Sequence, residues 1–352
     1  MATLKDIAVK TGLSVPTVSR ILNPRNGHIP AKQETIQKVK QVAKNLNYTP
    51  NAQARSLATS RTDNIALICD TLRDTPEENV FWSRVTSGIL RESKNKNIGC
   101  FVGLENYSDI SEFEIPIGIR ERKVDGFIIT HPLGNTDAKV LEKFLEYGLP
   151  FVVISSVSTN PQIWSVCCDP TLGYQQACRH LSLLGHKKIG YSIYPQWEAM
   201  EDRQKMMPAP INTGNIKLDF VPIEIDTSRF THKQIAKTIA EDIISGKLNV
   251  SAIVTGDIIS MHLIDFLAEK DIQIPRDISL IGMDDIYMCQ FTKPKLSSLR
   301  SPLEEMGAAA VDLLLENIRI SSESPTPCAR HLTLPKVFVE RDSTAPLIEL
   351  QK

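Results

Sequence analysis

TLKDIAVKTGLSVPTVSRILN, residues 3 to 23, decides how this chain is read. Thr3 is placed to cap a helix whose first turn contains Asp6, and Leu4, Ile7 and Ala8 share one face before Gly12 ends it. Ser14 can cap a second helix with Pro16 in its first turn, where a missing N–H is harmless, and Val18, Ile21 and Leu22 supply its apolar side. Two short helices joined by a tight, glycine-containing turn form a helix-turn-helix, whose second helix can enter the major groove of DNA. A third helix is expected from about Ala31 to Leu46, where Ile36, Val39, Ala43 and Leu46 close a three-helix core and Lys38, Lys40 and Lys44 line the polar face.

Charge supports the same reading. Residues 1–62 hold ten basic side chains against two acids, a net of +8 that leaves −9 on the rest of a chain whose total is −1. A basic head on an acidic body points to a polyanionic partner for the head, although a solvated basic face is the plainer alternative. With 352 residues, 42% hydrophobic and 23% charged, the chain has globular composition and length for two or three domains. It shows neither a secretory signal nor an apolar run long enough to span a membrane, so a cytoplasmic protein is expected. The seven cysteines (69, 100, 167, 168, 178, 289 and 328) lack metal-binding or redox spacing and read as reduced, mostly packed thiols.

Beyond residue 62, apolar runs alternate with helical stretches: IALICD, IGCFVG, GFIIT, FVVIS, WSVCC, KKIGYSI, FVPIEI, AIVTG and SLIGMD. Fully apolar strands separated by helices imply parallel sheets covered on both faces, and roughly 280 residues of this pattern suggest two lobes with a cleft between them. Ligands of such sheets bind beyond the carboxyl ends of the strands. The expected organisation is a head at 1–50, a hinge helix and linker at 51–62, a two-lobe α/β body at 63–345 and a tail at 346–352.

Thr3 to Asn23, together with NYTPNAQARSLAT at Asn47 to Thr59, resembles the head and hinge of the LacI family of bacterial repressors. The resemblance implies base contacts from Val15, Pro16 and Arg20, and backbone or base-edge contacts from Thr17, Ser19 and Asn23; Leu4, opening the first helix, joins these DNA-facing candidates. Arg20 has the clearest chemistry, because a guanidinium donates two hydrogen bonds to guanine O6 and N7. Val15 and Pro16 offer only apolar contact, or simply start the helix. Leu57 takes the position that wedges into the minor groove, its alternative being a linker residue packed on the body. Alone, that segment is too short to be helical in water and is expected to order on DNA beside a partner hinge. NPRNGHIPAKQ, between the second and third helices, is about three residues longer than the family's usual connector.

VDGFIIT, LGHKKIGY, IPRDISLIGMDD, PKLSSLRSPLEEMGAAAVDLLL and LPKVFVERDST extend the resemblance to the family's effector-binding body, which is similar to periplasmic sugar-binding proteins. It implies three crossings between lobes near residues 162, 293 and 325, and a homodimer formed through the N-terminal lobe. Strand ends nominate cleft residues: Asp284 after SLIGM, Asp257 after AIVTG, Arg203 one loop past KKIGYSI, and Phe81 with Trp82 opening the helix after IALICD. Carboxylates and a guanidinium can fork hydrogen bonds to sugar hydroxyls, and an aromatic ring can pack on a pyranose. The resemblance gives effector contacts to Arg203, Asp284 and Phe81. Helix capping for the aspartates, a surface ion pair for Arg203 and core packing for the aromatics are the alternatives. Pro208, Pro210 and Gly256 depart from the family pattern near this pocket.

No hydrolase, nucleotide-loop or metalloprotease motif occurs, and no cofactor or metal is called for. The expectation is a dimeric repressor that binds near-palindromic operator DNA and is controlled by a small molecule, a galactoside or other sugar or sugar derivative. Whether that molecule induces or corepresses stays open, and a ligand-binding protein with a degenerate head is the rival. LIELQK lacks the heptads of a helical tetramerisation segment.

Overall fold

A computed structural model describes residues 2–22, 31–49, 56, 57, 59, 61–70, 76–105, 114–130, 137–154, 160, 162–193, 218–227, 229–323 and 329–347. The chain forms two compact units, Met1–Asp63 and Asn64–Lys352.

In the first unit, α1 (Leu4–Thr11) begins with the anticipated capping box: Thr3 N–H donates to Asp6 Oδ2 at 2.8 Å and Asp6 N–H to Thr3 Oγ1 at 3.3 Å. Gly12 closes it at φ 73°, its N–H donating to Ala8 O at 2.9 Å. α2 (Val15–Leu22) follows after Thr17 N–H has found Ser14 Oγ at 3.3 Å, and α3 (Gln33–Asn45) completes the bundle. Ile7, Ala8, Val18, Ile21, Ile36, Val39 and Ala43 make the core. Lys38, Lys40 and Lys44 are exposed on α3 as expected, and Lys38 also donates to Thr11 O at 3.0 Å, tying α3 to the end of α1. The hinge residues Ser56, Leu57 and Thr59 are helical in the single chain, where the short segment alone suggests coil. Thr59 Oγ1, bonded to both N–H and O of Arg61, closes the segment locally.

The second unit holds two six-stranded sheets. The N-lobe strands are β1 (Asn64–Asp70), β2 (Gly99–Glu105), β3 (Gly126–Thr130), β4 (Phe151–Ile154), β5 (Trp164–Asp169) and β11 (His331–Pro335), in the order β11-β5-β4-β3-β1-β2, all parallel. Their helices are α4 (Pro76–Asn95), the single turn α5 (Ile117–Arg120), α6 (Asp137–Tyr147) and α10 (Leu303–Glu323). The C-lobe strands are β6 (Lys188–Ile193), β7 (Asp219–Glu224), β8 (Ala252–Val254), β9 (Ser279–Asp284), β10 (Ser297–Arg300) and β12 (Val337–Val339). They run β12-β10-β9-β8-β6-β7, with β12 alone antiparallel, and are covered by α7 (Thr171–Leu183), α8 (His232–Ile244) and α9 (Asp257–Ala268).

All nine apolar runs read from the sequence are strands, and the reason lies in their alternation. Ile65, Leu67, Ile128, Val152 and Ile154 face a core shared with α4 and α10, whereas Ala66, Ile68, Phe127, Ile129, Phe151 and Val153 face the opposite core with α6. Residues on both sides of β1, β3 and β4 are therefore removed from water, as the interior strands of a parallel sheet require. Phe127 stacks on Phe151 at 5.2 Å between centroids, with an interplanar angle of 10°.

Three crossings join the lobes, at Pro170 between β5 and α7, at Ser301–Pro302 between β10 and α10, and at Lys336 between β11 and β12. These lie several residues beyond the expected positions near 162, 293 and 325, because β5, β10 and β11 each complete a ladder before the chain leaves its lobe. The C-terminal segment is fastened to the C-lobe: Ser343 Oγ donates to Leu280 O at 2.5 Å, His186 Nε2 lies 3.0 Å from Ala345 O, and Leu347 N–H donates to Leu184 O at 2.7 Å.

α4 and α10 meet backbone to backbone at Gly88 and Gly307. A Cβ at Gly307 would overlap Val85 O and lie 2.8 Å from Ile89 N, and one at Gly88 would overlap Glu304 O. Gly307→Ala should therefore lower the unfolding free energy by about 1–3 kcal/mol in a urea titration. Gly118→Ala, whose Cβ meets nothing within 4 Å, should change it by less than about 0.5 kcal/mol.

Candidate functional site

On α2 the buried Val18 and Ile21 define the inner side of the helix. Val15, Pro16 and Arg20 are exposed and Thr17 and Ser19 half-buried, so Pro16 and Arg20, one turn apart, point away from the core. Leu4 is half-buried against the head core, which leaves its side chain mainly a packing role. Leu57 is 88% exposed. Asn23, and the residues of the long connector around Arg25 and His28, lie outside the described residues.

In the body, the two aspartates nominated from strand ends have different surroundings. Asp257, the first residue of α9, is buried; its Oδ2 accepts from Ile286 N–H at 2.8 Å and its Oδ1 from Ser298 Oγ at 2.7 Å. It is thus a brace inside the C-lobe and not a ligand contact, since the residue after a strand end turns inward here to meet the β9–β10 loop. Burial, assisted by the nearby charge of Asp284, pushes its carboxyl up to about 7. A Cβ at Gly282 would overlap Asp257 Oδ1, so β9 needs glycine there. Gly256 caps α9 without any side-chain bond.

Asp284, at the end of β9, is half-buried. Its Oδ1 accepts from Ser301 Oγ at 2.6 Å and from Lys336 Nζ at 2.8 Å. The neighbouring Asp285 is buried between Arg300 Nε, 2.7 Å from Oδ2, and Arg341 Nη2, 2.7 Å from Oδ1, while its N–H donates to Ser298 Oγ at 3.0 Å. Both aspartates have positive φ, 95° and 51°, an unfavourable backbone that these bonds hold in place. Ser298 links the two halves of the network, receiving from Asp285 N–H and donating to Asp257. Ser298, Arg300, Ser301, Lys336 and Arg341 were not singled out from sequence; Ser301 and Lys336 sit within the SLRSP and LPKVF stretches, where position between strands was the only clue.

Phe81 lies in the second turn of α4, which begins at Pro76, and so does not open the helix as expected. Its ring meets Trp82 edge-on at 4.9 Å, and both pack against the N-lobe core. Val80, just before them, packs on the C-lobe core, so the start of α4 bridges the lobes. Arg203, Pro208 and Pro210 lie outside the described residues. Among the described residues, no cluster of three His, Cys, Asp or Glu could hold a metal ion, and no helix is long and apolar enough to cross a membrane.

Comparison with known proteins matches residues 3–51 to the family model "Bacterial regulatory proteins, lacI family" and residues 178–344 to a periplasmic binding protein-like domain. The chain belongs to the LacI family. Its relatives include the HTH-type transcriptional regulator MalR of Staphylococcus xylosus, 25% identical across 99% of this chain and 100% of that protein. The HTH-type transcriptional repressor PurR of Edwardsiella ictaluri is 27% identical across 100% of both. Among solved structures, the lac repressor dimer bound to operator and the anti-inducer ONPF matches with TM-score 0.71 at 22% identity, covering 98% of this chain and 99% of that one. A LacI family regulator of Enterococcus faecium with bound ribose matches at 27% identity and TM-score 0.62, covering 81% of this chain and 100% of that one. This LacI family member is accordingly a two-part regulator with a helix-turn-helix head and a two-lobe body, and its relatives are regulators of transcription.

The carboxyl of Asp257 supplies a pH test. Its folded value of about 7 exceeds the ordinary 3.8, so the folded state holds this proton more tightly than the unfolded chain does between those values. The associated stability is complete below about pH 4 and is lost as pH rises to about 7. Relative to Asp257→Asn, which cannot titrate, the protein should lose up to about 1.4 kcal/mol per pH unit across that window and nothing further above it, by urea unfolding. Parallel pH profiles would place the carboxyl in its usual range.

Proposed function

We propose that the protein is a sequence-specific transcriptional repressor that binds a near-palindromic operator as a homodimer and is switched by a small molecule, a sugar or sugar derivative, in the cleft of its body. The observation that carries this reading is the outward side of α2: Val15, Pro16 and Arg20 are exposed opposite the buried Val18 and Ile21, on a head of net charge +8. In that role Arg20 reads guanine, Val15 and Pro16 touch base edges, Thr17, Ser19 and Asn23 fix the head on the duplex, and Leu57 wedges between base steps.

Pairing through the N-lobe is supported by β2, an edge strand on which Phe101, Val102 and Leu104 are 53%, 53% and 63% exposed. An apolar edge of this kind calls for a covering partner, and the lac repressor structure is a dimer. For the cleft, Asp284 is the proposed effector contact, and the family resemblance adds Phe81 and Arg203. Ribose in the Enterococcus faecium regulator supports a hydroxyl-rich ligand. In this scheme the ligand changes the lobe angle and with it the separation of the hinges, so operator and effector affect each other's affinity reciprocally. No catalytic role is assigned.

Fluorescence anisotropy on operator DNA selected from a random library tests the reading. Affinity should fall steeply and linearly in log–log form as salt rises, because bound phosphates release counterions. Indifference to DNA at low salt would favour the ligand-binding rival. Arg20→Ala should cost about 1–3 kcal/mol on the selected operator and relax the preference at one base pair. Leu57→Ala should weaken operator binding at least about tenfold with nonspecific affinity unchanged, and an unchanged specificity ratio would remove the wedge.

A further inference from the structure

The three crossings are tied to one another, and Lys336 does most of the tying. It is the single residue between β11 in the N-lobe sheet and β12 in the C-lobe sheet, so any change of lobe angle passes through its backbone. Its N–H donates to Asp169 O at 2.8 Å, the residue before the first crossing. Its ammonium lies 2.8 Å from Asp284 Oδ1, the same oxygen that accepts from Ser301 of the second crossing, whose N–H also reaches Asp284 O at 3.4 Å. The side chains of Lys336 and Asp284 are only 14% and 30% exposed, so the pair is worth more than an ion pair on the open surface. The start of α7 presses on the same residue: a Cβ at Gly173 would lie 3.2 Å from Lys336 O.

We propose that Lys336 is a positioning residue of the allosteric machinery, latching the three crossings to the cleft carboxylate Asp284 and thereby setting the lobe angle on which operator binding depends. This rests on the reading of Asp284 as the effector contact. Ser301 and Lys336 already take the roughly two lone-pair sites of Asp284 Oδ1, so a ligand hydroxyl that donates to this oxygen competes with both. Filling the cleft and loosening the crossings then become one event, the differential contact a two-state switch needs.

Hydrogen exchange on the full-length protein, read by mass spectrometry, tests the latch. In Lys336→Met, which keeps the apolar stem, amides at Thr171, Leu303 and Val337 should exchange about tenfold faster. Lys336→Arg should stay within about twofold of wild type, and amides inside the sheets, such as Ile128 and Ile253, should not change in either. Wild-type rates at the crossings in Lys336→Met, or equal loosening by Lys336→Arg, would overturn the latch. In parallel, Lys336→Met should shift affinity for the selected operator by about threefold or more without changing affinity for nonspecific DNA; loosened crossings with unaltered operator affinity would overturn the coupling. Should wild type itself fail to bind operator, the functional reading falls, while the exchange data still decide the latch.

Discussion

Covering a parallel sheet on both faces removes nearly every charged side chain from its interior, and this constraint organises the body. Alternate residues of β1, β3 and β4 are spent on two opposite cores, so charged groups are left to gather where strands end. The aspartates, arginines and lysine of the C-lobe do so at the ends of β9 and β10 and at the crossings. Charge collects at the site because the sheet interiors exclude it.

That gathering has a cost, which the network offsets locally. Asp284 and Asp285 adopt positive φ in succession, a conformation worth about 1–3 kcal/mol per residue in strain. The guanidinium groups of Arg300 and Arg341 and the hydroxyls of Ser298 and Ser301 supply the compensating bonds. Asp257 sits behind them, its charge disfavoured by burial yet its two oxygens fully used by the turn that carries Asp284. Asp257 shapes the turn and Asp284 presents a carboxylate from it.

Much of this was legible in the residues. The capping box at Thr3 and Asp6, the glycine turn at Gly12 and the nine apolar runs each carry a local physical signature, and the structure follows them closely. β10, β11 and β12 carry weaker signals, because SSLR and HLTLP are partly polar and VFV is only three residues long, all near or at sheet edges. The division of labour between Asp257 and Asp284 was not legible. Both follow a strand, and only the direction each side chain takes after the β-strand decides whether it meets solvent or the loop behind it. Helical spacing likewise placed Lys38 on the exposed face of α3, but carried no sign that its ammonium would reach a carbonyl at the end of α1.

The way the C-terminus is woven into both lobes bears on how the protein is made. β11 completes the N-lobe sheet and β12 and Arg341 complete the C-lobe network, yet all three follow every other strand of the two sheets in chain order. Until they emerge, the N-lobe sheet ends at β5 with an unpaired edge, and Asp285 lacks one of its two cationic partners. Neither lobe can therefore mature as an independent unit during synthesis, as domains folded in chain order commonly do. The head, whose core is wholly local, has no such wait. A nascent chain of this regulator thus acquires its DNA-facing module first and its sensing module last.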